Sequence, residues 1–511
     1  MSKTLKITLS MIVKNEEKNL RECLESVRNV VDEIVIVDTG STDETIHIAK
    51  EFDAEVYHYK WMNDFSSARN YALSKSTGDW ILYLDADEKL SEKSISEIKR
   101  VTENTNLIGC RCIVNNLDDR NGKPNYMRYT RLFHNHPKIK FSGQIHEQID
   151  DSLFENGFEI INTEVEIIHT GYNLSGEELK NKAQRNLDIL KKEYEENASA
   201  YNSFQLANTY SLLKEYDSAF KYYFIAVNNE DLNKEYKAHA YLNLTDYEFK
   251  RHNIQDALKF LTEGLLCDSE NPSLNLLACD IYFRINEEKE AVNHCKIACE
   301  VNKKILSGEH KSIFAIGLNQ EMIISKGIYY SFLSSNITGL KYFLKEIENV
   351  NKDLCRIISK LINNDSITSA EKDELIKLIS HNNIDLMLLI IEKYNDKKSG
   401  LDILNSIRNT FNSNSRYLKT LGQLYYENNF FDEAINEYEN SLHLEDKDPA
   451  AVFYLVSVYI ERNVINKIPD LLLFAEKEFG NIPEFNAAFE VLKQKLQKIL
   501  NFQSQEVQTR L

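Results

Sequence analysis

The residues best equipped for chemistry sit immediately after short apolar runs. Lys14-Asn15-Glu16-Glu17 follows Ile7 to Val13, Asp38-Thr39-Gly40-Ser41-Thr42-Asp43 follows Glu33 to Val37, and Asp85-Ala86-Asp87-Glu88 follows Trp80 to Leu84. Carboxylates at this density suit a cation and hydroxyl groups. Hard oxygen ligands favour Mg²⁺ or Mn²⁺, which keep open positions for phosphate oxygens. One residue separates Asp85 from Asp87, so in an extended chain both would leave the strand end on the same side, one toward a metal and the other toward a hydroxyl. Asp446-Lys447-Asp448 has the same spacing without a preceding strand and reads as a solvated turn. A second cluster is Phe141-Ser142-Gly143-Gln144-Ile145-His146-Glu147-Gln148, followed at a distance by His169-Thr170-Gly171-Tyr172. A neutral imidazole can complete a metal shell or bond a phosphate, and a neighbouring carboxylate can take a proton. His169 can equally be a satisfied structural residue.

The elements that must position these groups are legible from periodicity. Four β-branched and aromatic runs, Ile7 to Val13, Glu33 to Val37, Glu55 to Tyr59 and Trp80 to Leu84, alternate with amphipathic stretches, the pattern of βαβ units feeding a parallel sheet. Leu20, Cys23, Leu24 and Val27 fall at helical spacing and predict a helix laid on that sheet. A second helix is expected to open at Ser41, three residues before Glu44 in capping-box spacing, and a third to run from Phe65 to Ser76 with Gly78 at its C-cap. Ligands of open parallel sheets sit beyond the carboxyl ends of the strands, where the acidic clusters lie. No GxGxxG follows the first strand, which argues against a dinucleotide. Between Gly109 and Thr170 added strands and loops are expected, with Ile160 to His169 an edge strand.

After about Asn173 the pattern becomes helical and repetitive. Leu421-Gly422, Tyr425, Ala434, Tyr438 and Pro449 match the tetratricopeptide positions of a repeat of about 34 residues. Leu206-Ala207, Tyr210, Ala219, Tyr223 and Ala226 form a second such register, Ala278-Cys279, Tyr282 and Ala291 a third. His294, Cys295 and Cys299 share a helix face in metal-like spacing, but within a repeat they read as core packing. The expected organisation is an α/β domain over 1–175, repeats over 176–305, a divergent helical region over 306–410, and repeats again over 411–502.

Four ordered motifs carry a resemblance. Ser10-Met11-Ile12-Val13-Lys14-Asn15-Glu16-Glu17, Val37 to Asp43, Phe65-Ser66-Ser67-Ala68-Arg69-Asn70 and Asp85-Ala86-Asp87 resemble family 2 glycosyltransferases over roughly residues 5–175. The resemblance implies a GT-A (Rossmann-like) fold, a UDP-sugar donor, a divalent metal and inversion at the anomeric carbon. It also implies roles. Val13, Asn15, Glu17, Asp38 and Ser41 would hold the nucleoside, Asp85 and Ala86 the ribose, Asp87 the metal, and Arg69 the diphosphate. Glu147 would be the base and His146 a metal or phosphate ligand. For Arg69 the alternative is an i,i+4 ion pair on its helix, and for Asp38 a helix cap. Trp61 reads either as a stacking platform or as buried packing. With repeats after the catalytic half, the architecture resembles sublancin-type peptide S-glycosyltransferases, which implies a peptide or protein acceptor at Cys, Ser or Thr and a homodimer. A saccharide or lipid-linked acceptor, and a repeat scaffold with a vestigial catalytic half, are the alternatives.

Composition sets outer limits. The 511 residues carry 61 Lys and Arg against 79 Asp and Glu, a net charge of −18, which disfavours nucleic acid and anionic membranes as general partners. With 16 Gly and 6 Pro, regular structure should run throughout. No apolar run reaches the roughly 20 residues that span a bilayer, and eight Cys without paired spacing suit a reducing compartment. A cytoplasmic protein is expected.

Overall fold

The computed structural model describes residues 5–104, 106–118, 123–169, 176–307, 309 and 314–509. The chain divides into two compact units, residues 1–320 and 321–511.

The first unit opens with β1 (Ile7–Val13), α1 (Leu20–Val27), β2 (Glu33–Asp38), α2 (Thr45–Glu51), β3 (Glu55–His58), α3 (Phe65–Leu73) and β4 (Trp80–Tyr83). The four runs expected to be strands are strands, and they pair in parallel as β3-β2-β1-β4, with Val13 opposite Asp38. Leu20, Cys23, Leu24 and Val27 of α1 are all fully buried, so the helical stripe does cover the sheet. Because β1 lies between β2 and β4, the chain crosses over in both directions from it, and a crevice opens where these three strands end.

The sheet then continues through β5 (Glu88–Leu90), α4 (Ser94–Thr102), β6 (Ile108–Asp118), β7 (Lys123–His134), α5 (Asp150–Glu155) and β8 (Glu159–His169). β7 pairs antiparallel with β4 and with β6, and β8 runs parallel to β6. The segment expected to be an edge strand is interior, because β5 pairs with its far side: Glu88 stands opposite His169. That pairing folds the residues after β4 back toward the end of β8.

Helices follow: α6 (Gly176–Glu196), α7 (Ala200–Leu212), α8 (Tyr216–Val227), α9 (Lys234–Lys250), α10 (Ile254–Cys267), α11 (Pro272–Arg284) and α12 (Glu288–Leu306), before β9 (Phe314–Ile316) returns to pair with β7. Their antiparallel pairs share a buried core in which Ala207, Ala219, Tyr223 and Ala226 lie at the repeat positions. His294 bonds Asn275 and stacks on Tyr282, while Cys295 and Cys299 are fully buried, as packing within a repeat requires.

Two local expectations fail. Ser41 and Glu44 form no capping box, because α2 starts only at Thr45 and the Ser41 hydroxyl instead accepts the Asn15 N–H at 2.9 Å. Gly78 does not cap α3, which ends at Leu73. A Cβ at Gly78 would lie 2.6 Å from the Thr8 hydroxyl oxygen, so glycine is needed there for close approach to β1.

The second unit is helical. Its first pair, α13 (Gln320–Leu333) and α14 (Ile337–Val350), packs Gly327 directly against the ring of Phe343. Gly422 packs on Tyr438 in the same way across helices Ser415–Glu427 and Phe431–His443, with the same sixteen-residue separation. The same packing is therefore present in α13 and α14, where Tyr330 follows Gly327 as Tyr425 follows Gly422, although Gly339 and Leu354 stand where the Ala and Pro markers would be. Among the described residues no helix is long and apolar enough to cross a membrane, and all eight cysteines are free thiols.

Candidate active site

α3 begins where Asp64 caps it, accepting the Ser67 N–H at 2.9 Å and the Ser67 hydroxyl at 2.6 Å. This cap fixes Arg69 one turn into the helix, facing inward and almost fully buried. Its guanidinium does not pair along its own helix. It donates through Nη2 to Asp85 Oδ1 at 2.7 Å and through Nε to Glu147, joining residues that lie 16 and 78 positions away. Arg69 also sits over the Tyr83 ring at 5.0 Å. The helix-face ion pair is thus excluded, and Arg69 directly connects two of the residues expected to act with it.

β4 ends at Tyr83, the chain turns at Ala86 and Asp87, and Glu88 N–H closes the turn on Asp85 O at 3.0 Å. The extended geometry that would send both carboxylates from one side is therefore interrupted by a turn, and the two bond different partners. Asp85 faces Arg69, and Arg131 from β7 at 3.6 Å. Burial alone would raise the Asp85 carboxyl, but the two guanidiniums hold it well below the usual carboxylate range. Arg131 is also 2.6 Å from Glu88, whose carboxylate accepts the Asp85 N–H. Ala86 is buried beneath the turn.

Asp87 meets a different partner. Its Oδ2 lies 3.2 Å from His169 Nε2 at the end of β8, while His169 Nδ1 lies 2.7 Å from Asn116 Oδ1. Burial would lower the imidazole, but Asp87, with Glu88 and Asp85 behind it, raises it. His169 is therefore the histidine at the acidic turn. His146, expected to share Asp87's ligand, instead feels the charges of Glu147 and Lys182; it takes a left-handed backbone, φ 54°, and burial lowers its imidazole. Thr170, Gly171 and Tyr172 of the same motif lie outside the described residues.

The expected nucleoside-binding residues form a seam between the loops after β1 and β2. Val13 O accepts the Thr39 N–H at 3.0 Å, and Asn15 Oδ1 accepts the Thr42 N–H at 2.8 Å. Glu17 accepts the Glu44 N–H at 3.2 Å. Asp38 does not cap α2; its buried carboxylate accepts N–H groups of Gly40 and Ser41 at 3.2 and 3.0 Å and meets His58 Nδ1 at 3.2 Å. The seam adjoins the acidic turn: burial raises Glu16, and the charges of Asp87 and Asp85 add to it. Trp61 packs edge-on against Phe65 at 4.7 Å, with its indole N–H on Asn63.

A cavity of about 520 Å³, within the size range of small-molecule sites, opens beside Arg69, Asp85, Glu147 and His169; Asp87 itself is not among its lining residues. Arg69, Asp85, Arg131 and His169 line one side, His146 and Glu147 the middle, and Tyr201, Gln205, Asn208, Tyr236 and His239 of α7 and α9 the other. Arg69, Asp85, His146 and Glu147 are brought together here, whereas Val13, Asn15, Glu17, Asp38 and Ser41 lie in the adjoining seam. Arg131 and Tyr201 were not anticipated, and Glu88 only as a member of the acidic cluster after β4. For Arg131 a signal existed, a cation inside the run Tyr129 to Phe133 at a position the alternation buries.

Residues 8–161, from β1 through the acidic turn to the start of β8, match the family model for glycosyl transferase family 2. This segment is a family 2 glycosyltransferase domain. The chain is also 42% identical over 147 residues to a TPR repeat-containing protein of Synechococcus elongatus, covering 29% of this chain and 36% of that one. It is 34% identical over 190 residues to the SPbeta prophage-derived glycosyltransferase SunS of Bacillus subtilis, covering 37% and 45%. The chain thus spans less than half the length of these curated relatives. Among solved structures, a tetratricopeptide repeat protein from Parabacteroides merdae aligns at 12% identity and TM-score 0.39, covering 57% of this chain and 98% of that one.

Proposed function

We propose that the protein transfers a hexose from a UDP-sugar to a peptide or protein side chain, Cys, Ser or Thr, with inversion. The observation that carries this reading is the shared cavity: the acidic turn of a glycosyltransferase domain forms one side, and helices of the repeat region form the other. A groove made by repeat helices suits an extended segment more than a small sugar.

Among the described residues no group of three or more metal-ligating side chains occurs, so Asp87 and His169 are a two-donor set of the kind that suits a divalent cation completing its shell with phosphate oxygens and water. Asp87 offers a carboxylate, and the Asn116 contact with His169 Nδ1 leaves Nε2 directed at Asp87, the outer-shell arrangement that orients a metal-bound imidazole. Asp87 and His169 would hold Mg²⁺ or Mn²⁺, whose charge would offset that of the diphosphate as it departs. The remaining work falls to the chain. Glu147, held by Arg69 at the cavity, takes the proton from the acceptor hydroxyl or thiol. The acceptor heteroatom then bonds to the anomeric carbon from the face opposite the diphosphate, and the carbon–oxygen bond to UDP breaks with its electron pair. Arg69 and Arg131, both kept cationic by neighbouring carboxylates, supply fixed positive charge at that side of the cavity. The seam of Asn15, Glu17, Asp38 and Ser41 receives the nucleoside.

Mass spectrometry of Cys-, Ser- and Thr-containing peptides incubated with UDP-hexoses and Mn²⁺ tests the reading. A gain of one hexose that chelator abolishes is expected. Hexose on lipid or saccharide with none on peptide would move the acceptor to the cell surface, and no UDP binding by calorimetry would favour a repeat scaffold.

A further inference from the structure

The loop that carries His146 and Glu147 is held from two sides. From the glycosyltransferase side, Asn70 makes a reciprocal pair with the Phe141 backbone at 2.9 and 2.8 Å, and the Phe65 N–H bonds Gln144 O at 2.9 Å. Ser142 and Gln148 bridge each other at 2.9 and 2.8 Å, closing the loop into a narrow hairpin. From the helical side, Ile145 inserts into the apolar core formed by Leu187, Leu190 and Phe204. Glu193 of α6 accepts the Gln144 N–H at 3.3 Å. Tyr201 of α7 accepts from Gln148 Nε2 at 2.7 Å and from Gln205 Nε2 at 2.6 Å, which turns its own O–H toward His146 O at 3.4 Å.

Both neighbours of the His146-Glu147 pair are therefore fixed by repeat-region side chains. Ile145 is anchored by burial and Gln148 by the Tyr201 hydroxyl. Arg69 fixes the Glu147 carboxylate but not the backbone that delivers it. His146 also holds a positive φ, a conformation that a non-glycine residue keeps when its surroundings over-determine it. The same face of α7 that carries Tyr201 presents Gln205 and Asn208 to the cavity.

We propose that Tyr201 is a positioning residue for Glu147, so that the first repeat helix is part of the catalytic centre as well as a wall of the acceptor site. This rests on the glycosyltransferase reading for its catalytic half, but the clamp itself is independent of it. A carboxylate displaced by about 1 Å loses on the order of 10²-fold in a reaction that depends on alignment. Losing one hydroxyl while the apolar anchor remains should displace it less, so roughly a tenfold fall is expected.

Tyr201→Phe removes the hydroxyl and keeps the ring. Hydrogen exchange on the full chain should show the Gln144 and Gln148 amides exchanging at least tenfold faster, with β1 unchanged, and Gln148→Leu should give the same result from the other side of the bond. In Mn²⁺-dependent hydrolysis of UDP-glucose, where water is the acceptor, kcat should fall about tenfold at constant KM. In a Glu147→Gln background Tyr201→Phe should cost nothing further, which a general loss of stability would not reproduce. Unchanged exchange in both variants, or an equal fall in both backgrounds, overturns the proposal. If the wild-type protein neither binds UDP nor hydrolyses UDP-glucose, the glycosyltransferase reading falls, while the exchange experiment still decides the clamp.

Discussion

His169 Nε2 stands 3.2 Å from Asp87 Oδ2, although 82 residues separate them, because β5 folds the acidic turn back along the end of β8. The half-buried His169 imidazole and the Asp87 carboxylate thus present one nitrogen and one oxygen donor to the same point. Asp87→Ala and His169→Ala should each weaken Mn²⁺ binding by at least about 10- to 100-fold, and UDP binding measured with Mn²⁺ should weaken with it. His146→Ala should leave Mn²⁺ affinity near the wild-type value. Isothermal titration of the three variants checks the order, and an equal loss with His146→Ala would restore that residue to the metal site.

Arg69 joins Asp85 and Glu147 across the cavity floor, so its removal does more than delete a cation. Arg69→Ala leaves a half-buried and a cavity-facing carboxylate without their shared partner. Breaking a buried pair on one side typically costs 3–5 kcal/mol, and about 3 is expected because Asp85 opens onto the cavity. Arg69→Lys should retain part of the stability but little activity, because a single ammonium cannot bond in two directions as the planar fork does. Thermal melts paired with hexose transfer separate the two effects.

How far the sequence carried this site follows from the range of the interactions. β1 to β4 and the α1 stripe of Leu20, Cys23, Leu24 and Val27 are local patterns, and the structure has them within a residue or two. The long strands β6 and β7 were not legible as strands, because buried Arg128, Thr130, Arg131 and Asn116 interrupt their apolar alternation. Those same polar residues serve the site: Arg131 braces Glu88 and Asp85, and Asn116 orients His169. Motifs pointed to Asp85, Asp87, Arg69 and Glu147 singly. That Arg69 binds two of them and His169 the third depends on the crossing of distant strands, which no local spacing encodes.

The repeat packing of the second unit makes an inverted prediction for glycine. In a helix interior, Gly to Ala ordinarily stabilises by about 1 kcal/mol. A Cβ at Gly422 would lie 2.9 Å from two ring atoms of Tyr438, and one at Gly327 still closer to Phe343. Overpacking costs about 1–3 kcal/mol, which outweighs the propensity gain. Gly422→Ala and Gly327→Ala should therefore both lower the calorimetric midpoint, the latter more. Phe343→Leu should cost less in the Gly327→Ala background than alone. Additive losses at that pair would mean that the ring does not press on the glycine.

Burial lowers His239 on α9 to about 4, well under its ordinary 6.5. The folded protein therefore holds this imidazole neutral where the unfolded chain would take a proton, and the sign follows. Between pH 6.5 and 4 the unfolded state binds more protons, so stability contributed by the neutral ring is present above pH 6.5 and is lost as pH falls toward 4. From pH 7 to pH 5 the loss should reach about 2 kcal/mol. Both tryptophans, Trp61 and Trp80, lie in the first unit with His239, so urea titrations followed by their fluorescence report on the right part of the chain. His239→Leu should remove about 2 kcal/mol of the pH 7 to pH 5 difference while Arg69, Asp85 and Glu147 remain in place. An unchanged pH dependence in that variant would assign acid sensitivity to groups other than this ring, with Glu16 and Glu193 excluded by their direction: burial raises both carboxyls, so they favour the folded state as pH falls.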